Sequence, residues 1–225
     1  LSIASLKRFI ADADLKGNRT KIKVAAEPKD AKVAIIGAGP AGLNCAYSLA
    51  KEGYRCTVFE KLPVAGGMLK VGIPGYRLDK KVLDYEISLI EDMGVEIRYN
   101  TEIGRDFTLE DLKAQGFKAI FLAIGAHADS KLGIPGEDCE GLIPSVYFLR
   151  DLNLGAIDSE YKSKIGKKVI VIGGGNVAMD SARSALRLGC DVTVVYRRSR
   201  EQMPANPWEI EEAEEEGVKF SFLTS

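Results

Sequence analysis

The chain has 225 residues, enough for one large domain or for two smaller ones with buried cores. Its 31 basic and 32 acidic residues leave a formal charge of −1, so no strong field favours binding to nucleic acid or to an anionic membrane. No apolar run approaches the ~18 residues of a membrane span, and the N-terminus does not resemble a signal peptide.

The first stretch, residues 1–31, is predicted to be a short helix followed by a linker. Ile3, Leu6, Phe9 and Ile10 recur at the spacing of an amphipathic helix. Residues 15–31 are charged and contain Gly and Pro, which is typical of a linker. The chain begins without Met, and we expect it to be part of a longer protein.

Residues 32–60 follow the order strand, glycine-rich turn, helix and strand. The turn has the G-x-G-x-x-G pattern and consists of Gly37, Ala38, Gly39, Pro40, Ala41 and Gly42. In a dinucleotide-binding unit the first Gly permits the turn, the second lets the backbone approach a pyrophosphate, and the third lets helix and strand pack closely. Glu60 ends the next strand about 23 residues after Gly37, where a carboxylate takes the ribose hydroxyls. The alternative is a structural glycine turn that binds no nucleotide.

The connection at 61–78 is too rich in Gly and Pro for a helix and too apolar for an ordinary solvated loop. Long ordered connections tend to be functional. This loop is therefore predicted to lie along a flat apolar ligand, with an irregular packing loop as the alternative.

Five further elements are predicted between this loop and the second half of the chain. They are helices at 79–93, from Thr108 and at 146–154, and strands at 95–100 and 118–125. The strand at 118–125 is expected to be buried, because its apolar run does not alternate with polar residues. Gly125 and Ala126 at its carboxyl end are expected beside a cofactor. His127, the only histidine, is interpreted as a polar loop residue rather than a catalyst.

A second strand, glycine turn, helix and strand occupy 168–196. The turn reads G-x-G-x-x-A and consists of Gly173, Gly174, Gly175, Asn176, Val177 and Ala178. The position that corresponds to Glu60 is Arg197, about 24 residues after Gly173, and Arg198 and Arg200 follow. Paired guanidiniums bind a 2′-phosphate that a carboxylate would repel, so this unit is predicted to prefer NADP over NAD. The alternative is a solvated basic turn.

The last elements are an acidic helix at 207–216, whose charge run is expected to be a solvated face, and a strand beginning at Val218. The predicted fold is α/β with two Rossmann-like dinucleotide-binding units of the two-domain flavoprotein type, the second incomplete. The expected domains are 1–31 as helix and linker, 32–165 binding FAD and 166–225 binding NADP. Hydride would pass between nicotinamide and flavin, so no catalytic side chain is required.

Several of these motifs are similar to those of one family. The loop sequence Gly66-Gly-Met-Leu, followed by Gly72-Ile-Pro-Gly-Tyr-Arg-Leu78, resembles the small (beta) subunit of NADPH-dependent glutamate synthase and its relatives. These relatives include the flavoprotein portion of dihydropyrimidine dehydrogenase and the large subunit of NADH-dependent ferredoxin–NADP oxidoreductase. The second half agrees in Gly173-Gly-Gly-Asn-Val-Ala-Met-Asp180 and in Val195-Tyr-Arg-Arg-Ser-Arg-Glu-Gln-Met-Pro-Ala205. The resemblance covers essentially the whole chain.

The resemblance implies FAD in the first unit and NADP(H) in the second, with electrons passing from FAD to iron–sulfur clusters or a partner subunit. It implies that the loop at 66–78 runs beside the flavin and that Arg197 and Arg198 take the 2′-phosphate. The expected cofactor-binding residues of the first unit are Gly37, Gly39, Pro40, Ala41, Gly42, Glu60, Lys61, Gly67, Met68, Leu69, Arg77, Ile103, Ala123, Ile124 and Gly125. Those of the second unit are Gly173, Gly175, Asn176, Val177, Ala178, Arg197 and Arg198.

Two features of the family are absent from this sequence. Its cluster-binding cysteines lie upstream of residue 1, so iron–sulfur clusters are expected only in a missing upstream domain or a partner. Its C-terminal Gly-Asp segment, which returns to the flavin, lies beyond residue 225. We therefore expect a chain that is truncated at both ends and holds FAD weakly.

The cysteines weigh against one alternative function. Cys45, Cys56, Cys139 and Cys190 are scattered, and no C-x-x-C or C-x₄-C follows either glycine turn. A reductase that passes electrons to a dithiol is disfavoured, and we expect reduced thiols in a cytoplasmic protein without a metal site. The remaining alternative is a non-catalytic assembly module that keeps its nucleotide sites for stability.

Overall fold

The computed structural model describes residues 2–17, 22, 24, 27–128, 131, 133–157 and 165–224. It divides into two compact units. The first consists of Leu1–Lys70 and Leu78–Ala126, and the second of Val71–Arg77 and His127–Ser225. The predicted domain bounds at 165 and 166 concern cofactor binding and stay a prediction. Packing divides the chain after Ala126 and assigns part of the loop at 61–78 to the second unit.

The first unit is built around a four-stranded parallel sheet in the order β3-β2-β1-β4. Its elements in chain order are α1 (Ile3–Lys16), β1 (Lys32–Ile36), α2 (Pro40–Lys51), β2 (Arg55–Phe59), α3 (Met68–Val71), α4 (Lys80–Glu91), β3 (Glu96–Arg98), α5 (Leu109–Ala114) and β4 (Phe117–Leu122). Ile35 at the centre of β1 is fully buried and pairs in register with Val58 and Phe121. The predicted strand, turn, helix and strand at 32–60 are confirmed.

Two predictions for this unit need correction, and a third is confirmed. The strand at 118–125 was expected to be buried, but Phe121 is 41% and Leu122 59% exposed, because among the described strands β4 has a neighbour on one side only. The loop at 61–78 contains one helical turn, α3, since Met68–Val71 has no Gly or Pro. The helix predicted near the N-terminus is present, but its apolar side chains pack against no core of described residues and Phe9 is 71% exposed.

The second unit contains a three-stranded parallel sheet in the order β5-β6-β7. Its elements are α6 (Ser145–Asn153), β5 (Lys168–Ile172), α7 (Asn176–Arg187), β6 (Asp191–Tyr196), a 3₁₀ turn (Arg200–Gln202), α8 (Pro207–Glu216) and β7 (Lys219–Phe222). Val192 and Val194 of β6 are fully buried, as is Met179 of α7, which packs in the same core. The second predicted strand, turn, helix and strand are confirmed. Among the described helices, none is long and apolar enough to cross a membrane.

The acidic helix is present as predicted and ends at Gly217, which has a left-handed backbone conformation. Its charge run is not simply a solvated face. Glu209 is 2% exposed, and Glu212 and Glu216 both accept hydrogen bonds from Arg183 of α7. Cations supplied by distant parts of the chain face this helix, and a local charge pattern does not reveal them.

Candidate dinucleotide-binding sites

The first and third glycines of the first turn are required by the protein itself. Gly37 has a φ of +106°, and its N–H donates to the carbonyl of Phe59 at 2.8 Å. A Cβ added to Gly37 would lie 2.4 Å from the carbonyl oxygen of Ala123. A Cβ added to Gly42 would lie 1.9 Å from the carbonyl oxygen of Gly37. Strand, turn and helix therefore pack too closely for any side chain at these two positions.

The second glycine differs, because its surroundings leave space. Gly39 is the N-cap of α2, and a Cβ there would meet nothing closer than the Cα of Gly67 at 3.9 Å. No side chain caps α2, and no described residue accepts a hydrogen bond from the backbone N–H of Ala41 or Gly42. Unpaired N–H groups at a helix N-terminus attract an anion. The turn thus fits the pyrophosphate of a dinucleotide, with Gly39 at the point of approach.

Glu60 lies at the end of β2 and fixes the turn. Its side chain is buried, with Oε2 accepting from the N–H of Ala38 and Oε1 from the N–H of Leu62, both at 2.8 Å. These two bonds hold the carboxylate in one orientation beside the turn, and each oxygen keeps further acceptor capacity. Lys61 follows and is exposed. The ribose role predicted for Glu60 stays a prediction.

Two further segments lie against the first turn. The N–H of Gly66 donates to the carbonyl of Ala38 at 2.8 Å, and a Cβ on Gly67 would lie 2.8 Å from the Cα of Gly39. Ala123 follows β4, and its N–H donates to the carbonyl of Ile36 at 2.8 Å. The structure therefore brings the start of the predicted loop and the end of β4 to the glycine turn.

The remaining residues predicted for the first cofactor are placed as follows. Met68 and Leu69 begin α3 and are half-buried, and Ile124 and Gly125 continue from Ala123. Ile103 packs against an apolar cluster that includes Phe59 and Leu112. Arg77 belongs to the second unit, where it pairs with Asp180 and Glu209. Their contacts with a cofactor stay predictions.

The second turn repeats the geometry of the first. Gly173 has a φ of +137°, and its N–H donates to the carbonyl of Val195 at 3.0 Å, at the position equivalent to the bond from Gly37 to Phe59. Gly175 is the N-cap of α7 without a side-chain cap, and the nearest atom to an added Cβ is 4.0 Å away. Among described residues, none accepts from the backbone N–H of Asn176 or Val177. This helix N-terminus also fits a pyrophosphate.

A segment that was not predicted as part of the site borders the second turn. The N–H of Ala205 donates to the carbonyl of Gly174 at 3.0 Å, and the N–H of Asn206 donates to Oδ1 of Asn176 at 2.9 Å. A Cβ on Gly174 would lie 2.7 Å from the ring of Tyr196. Gly174, the middle of three consecutive glycines, is the only sign of this close contact in the sequence.

Arg197 and Arg198 follow β6 and are both exposed. Neither guanidinium forms an ion pair or a hydrogen bond with a described residue, whereas Arg200 pairs with Glu214. Two adjacent positive charges are therefore left without a counterion among the described residues. Such a pair suits a phosphate group.

The described thiols are poorly suited to dithiol chemistry. All four cysteines are free. Burial raises the pKa of Cys56 to about 11, with Cys45 adding to the effect, and burial also raises the pKa values of Cys45 and Cys190. Because the thiolate is the reactive form, burial disfavours reaction at Cys45, Cys56 and Cys190.

Comparison with known proteins extends these observations. The family model for pyridine nucleotide-disulphide oxidoreductases matches residues 31–225. The chain is 48% identical, over 100% of its length and 34% of the relative, to the NADP(+)-dependent formate dehydrogenase subunit beta of Moorella thermoacetica. It is 47% identical to the NADPH-Fe(3+) oxidoreductase subunit beta of Geobacter sulfurreducens, covering 99% of this chain and 33% of that one. It is 38% identical to the glutamate synthase [NADPH] small chain of Escherichia coli, covering 99% and 48%.

Among solved structures, Mycobacterium tuberculosis FprA in complex with NADPH matches 85% of this chain and 48% of its own, with a TM-score of 0.69 and 26% identity. The chain spans a third to a half of the length of the curated relatives named above.

Proposed function

The chain belongs to the pyridine nucleotide-disulphide oxidoreductase family, and on this premise we propose that it is the NAD(P)H-dependent flavin oxidoreductase part of an electron-transfer enzyme. FAD binds at the first glycine turn and NADP(H) at the second. Electrons pass from NADPH through FAD to iron–sulfur clusters of another domain or to a partner subunit. The names of the relatives support this proposal, because each contains NADP or NADPH and each denotes a beta subunit or a small chain.

The observation that carries the proposal is the pair of glycine turns with unlike neighbours. Each turn leads into a helix whose first N–H groups have no acceptor among described residues. The first turn has the buried carboxylate of Glu60 beside it, and the second is followed by the exposed Arg197 and Arg198. The carboxylate beside the first turn suits a cofactor with a free ribose, and the arginines at the matching position of the second turn suit a 2′-phosphorylated one.

The chain's residues would hold and orient the cofactors. The N-terminus of α2 binds the pyrophosphate of FAD and Glu60 orients its ribose, while the N-terminus of α7 binds that of NADPH. FAD bound there would supply the chemistry for accepting a hydride from a nicotinamide, which the protein side chains do not provide. Gly67 and Ala123, which lie against the first turn, have small or absent side chains that allow close approach of the cofactor.

The destination of the electrons differs between the relatives, which are named for formate, Fe(3+) and glutamate synthase. We propose that this choice is made outside the 225 residues, by a partner subunit or domain. We also propose a cytoplasmic location, with no role for nucleic acid or membrane, since the charge is near neutral and the thiols are free.

The proposal is tested by anaerobic reduction of the FAD-loaded protein with NADPH. We expect the absorbance of oxidised flavin to be lost on mixing, because the hydride moves to the flavin. Unchanged absorbance with FAD fully bound would instead identify a non-catalytic nucleotide-binding module. A reductase acting on a dithiol is the less favoured candidate, since burial raises the pKa values of three of the four thiols.

The nicotinamide preference gives a second prediction. Replacing both Arg197 and Arg198 by Ala should raise the Kd for NADPH at least about a hundredfold, because two charge-assisted hydrogen bonds of roughly 1.5–3 kcal/mol each are lost. The Kd for NADH should stay unchanged. Arg200→Ala is the matched control, because Arg200 is already paired with Glu214. Equal losses for NADPH and NADH would exclude a 2′-phosphate site at these arginines.

A further inference from the structure

Arg77 ends the part of the loop that packs with the second unit, and both ends of its guanidinium are engaged there. Nη1 donates to Oδ2 of Asp180 at 2.6 Å, and Nη2 donates to Oε1 of Glu209 at 2.5 Å. Asp180 is 5% and Glu209 2% exposed. Two buried carboxylates, on α7 and α8, thus share one cation.

The residue before it, Tyr76, is held by α7. The ring of Tyr76 stacks with the guanidiniums of Arg183 and Arg187, which lie 4.7 and 3.9 Å from its centroid. Arg183 is in turn bound by Glu212 and Glu216 of α8. The Tyr76-Arg77 pair is therefore a defined contact of the second unit.

Hydrogen bonds connect Arg77 to the second glycine turn. Oε1 of Glu209 accepts from Nδ2 of Asn206 at 3.3 Å as well as from Arg77. The backbone N–H of Asn206 donates to Oδ1 of Asn176, the first residue of α7. Glu209 and Asn206 are thus the two residues between Arg77 and the N-terminus of α7.

This cluster contains buried acceptors that are not satisfied. Oδ1 of Asp180 and Oε2 of Glu209 are buried without a hydrogen-bond partner among described residues. A buried carboxylate that loses its counterion is costly. Without Arg77, the Glu209 carboxylate would be left buried without its cation, and a shift of this side chain towards solvent would break its hydrogen bond with Asn206.

We infer that Arg77 is a positioning residue for the NADP(H) turn, acting through Glu209 and Asn206 on Asn176. The inference rests on the proposed assignment of NADP(H) to the second turn. It differs from the sequence-based expectation that Arg77 lies beside the flavin, because the guanidinium is already bound at both ends within the second unit.

The test compares NADP+ and FAD binding, measured by spectroscopic titration of the purified protein, for the wild type and three variants. Arg77→Met should raise the Kd for NADP+ about tenfold, equivalent to about 1.4 kcal/mol, and leave the Kd for FAD unchanged. Arg77→Lys should recover part of the loss. Arg105→Met is the matched control, since Arg105 is an exposed arginine of the first unit paired with Asp106, and both Kd values should stay as in the wild type.

The double variant Arg77→Met with Glu209→Gln separates positioning from direct contact. The Glu209→Gln change removes the buried negative charge of Glu209 and keeps a side-chain carbonyl for Asn206. The double variant should therefore bind NADP+ more tightly than Arg77→Met. It also serves as the folded variant where Arg77→Met alone is unstable. If the folded double variant binds NADP+ no better than Arg77→Met, the inference is overturned in favour of direct contact between Arg77 and the nucleotide. Where Arg77→Met is unstable, the comparison is with the wild type. The inference is then overturned if the double variant binds NADP+ more than about tenfold more weakly than the wild type does. Wild-type affinity in Arg77→Met, or a loss confined to FAD, would also overturn it. Failure of the wild type to bind NADP+ would refute the proposed function instead.

Discussion

Replacing Gly39 by Ala is expected to weaken FAD binding severely relative to the wild type while leaving the first unit folded. The position has an ordinary extended backbone and 3.9 Å of clearance to the nearest protein atom, so the protein accepts the methyl group. The cofactor does not, because the second glycine of this turn is where the backbone meets the pyrophosphate. Equilibrium titration with FAD compares the Kd of the variant with that of the wild type, and thermal unfolding measures the fold.

Gly42→Ala provides the contrast for this prediction. Its Cβ would lie 1.9 Å from the carbonyl oxygen of Gly37, so helix and turn must separate, and overpacking of this kind costs about 3 kcal/mol. We expect Gly42→Ala to lower the unfolding temperature as well as FAD binding. Gly75→Ala, where an added Cβ has nothing within 4 Å, should change neither. Stoichiometric FAD on Gly39→Ala would contradict the pyrophosphate role of the first turn.

The clearances of the glycines explain how much of the site could be predicted from sequence. A turn between a strand and a helix leaves a local pattern, so both turns and their helices were found at the right positions. The structure adds that the protein needs Gly37 and Gly42 for its own packing, whereas Gly39 has space for a side chain. Because the protein itself does not require a glycine at position 39, only Gly39 indicates that a ligand binds at the turn. Sequence spacing alone does not distinguish Gly39 from Gly37 and Gly42.

The charges that meet over long distances in the chain could not be predicted. Arg77 is 103 residues from Asp180 and 132 from Glu209, and no local periodicity links them. The acidic helix therefore looked solvated, although Glu209 is among its most buried residues. The exposure of β4 could not be predicted for a similar reason. The apolar run of a strand does not show how many neighbouring strands it has.

The second unit should lose much of its stability when Arg183 is replaced by Met. The Arg183 side chain is 6% exposed, stacks on Tyr76 and donates to Glu212 and Glu216 at 2.6 and 2.5 Å. Removing a buried cation from its partners costs 3–5 kcal/mol when all are buried. Since Glu212 is 52% exposed, we expect a loss of about 2 kcal/mol, measured by chemical denaturation. Arg187→Met is the matched control, because Arg187 also pairs with Glu216 and stacks on Tyr76 but is 46% exposed, and it should cost less than about 1 kcal/mol.

The pH dependence of this loss has a definite sign. Burial acts to raise the pKa of Glu216, but hydrogen bonds from Arg183 and Arg187 outweigh it and hold the pKa below its ordinary 4.5. A carboxyl with a lowered pKa stabilises the fold above its unfolded value, and this contribution is lost as the pH falls through the folded pKa. Arg183 also lowers the pKa of Asp180, which burial raises. The difference in unfolding free energy between wild type and Arg183→Met should therefore be largest at neutral pH and shrink below about pH 4.5. A difference that stays constant on acidification would show that Arg183 stabilises the unit by packing alone.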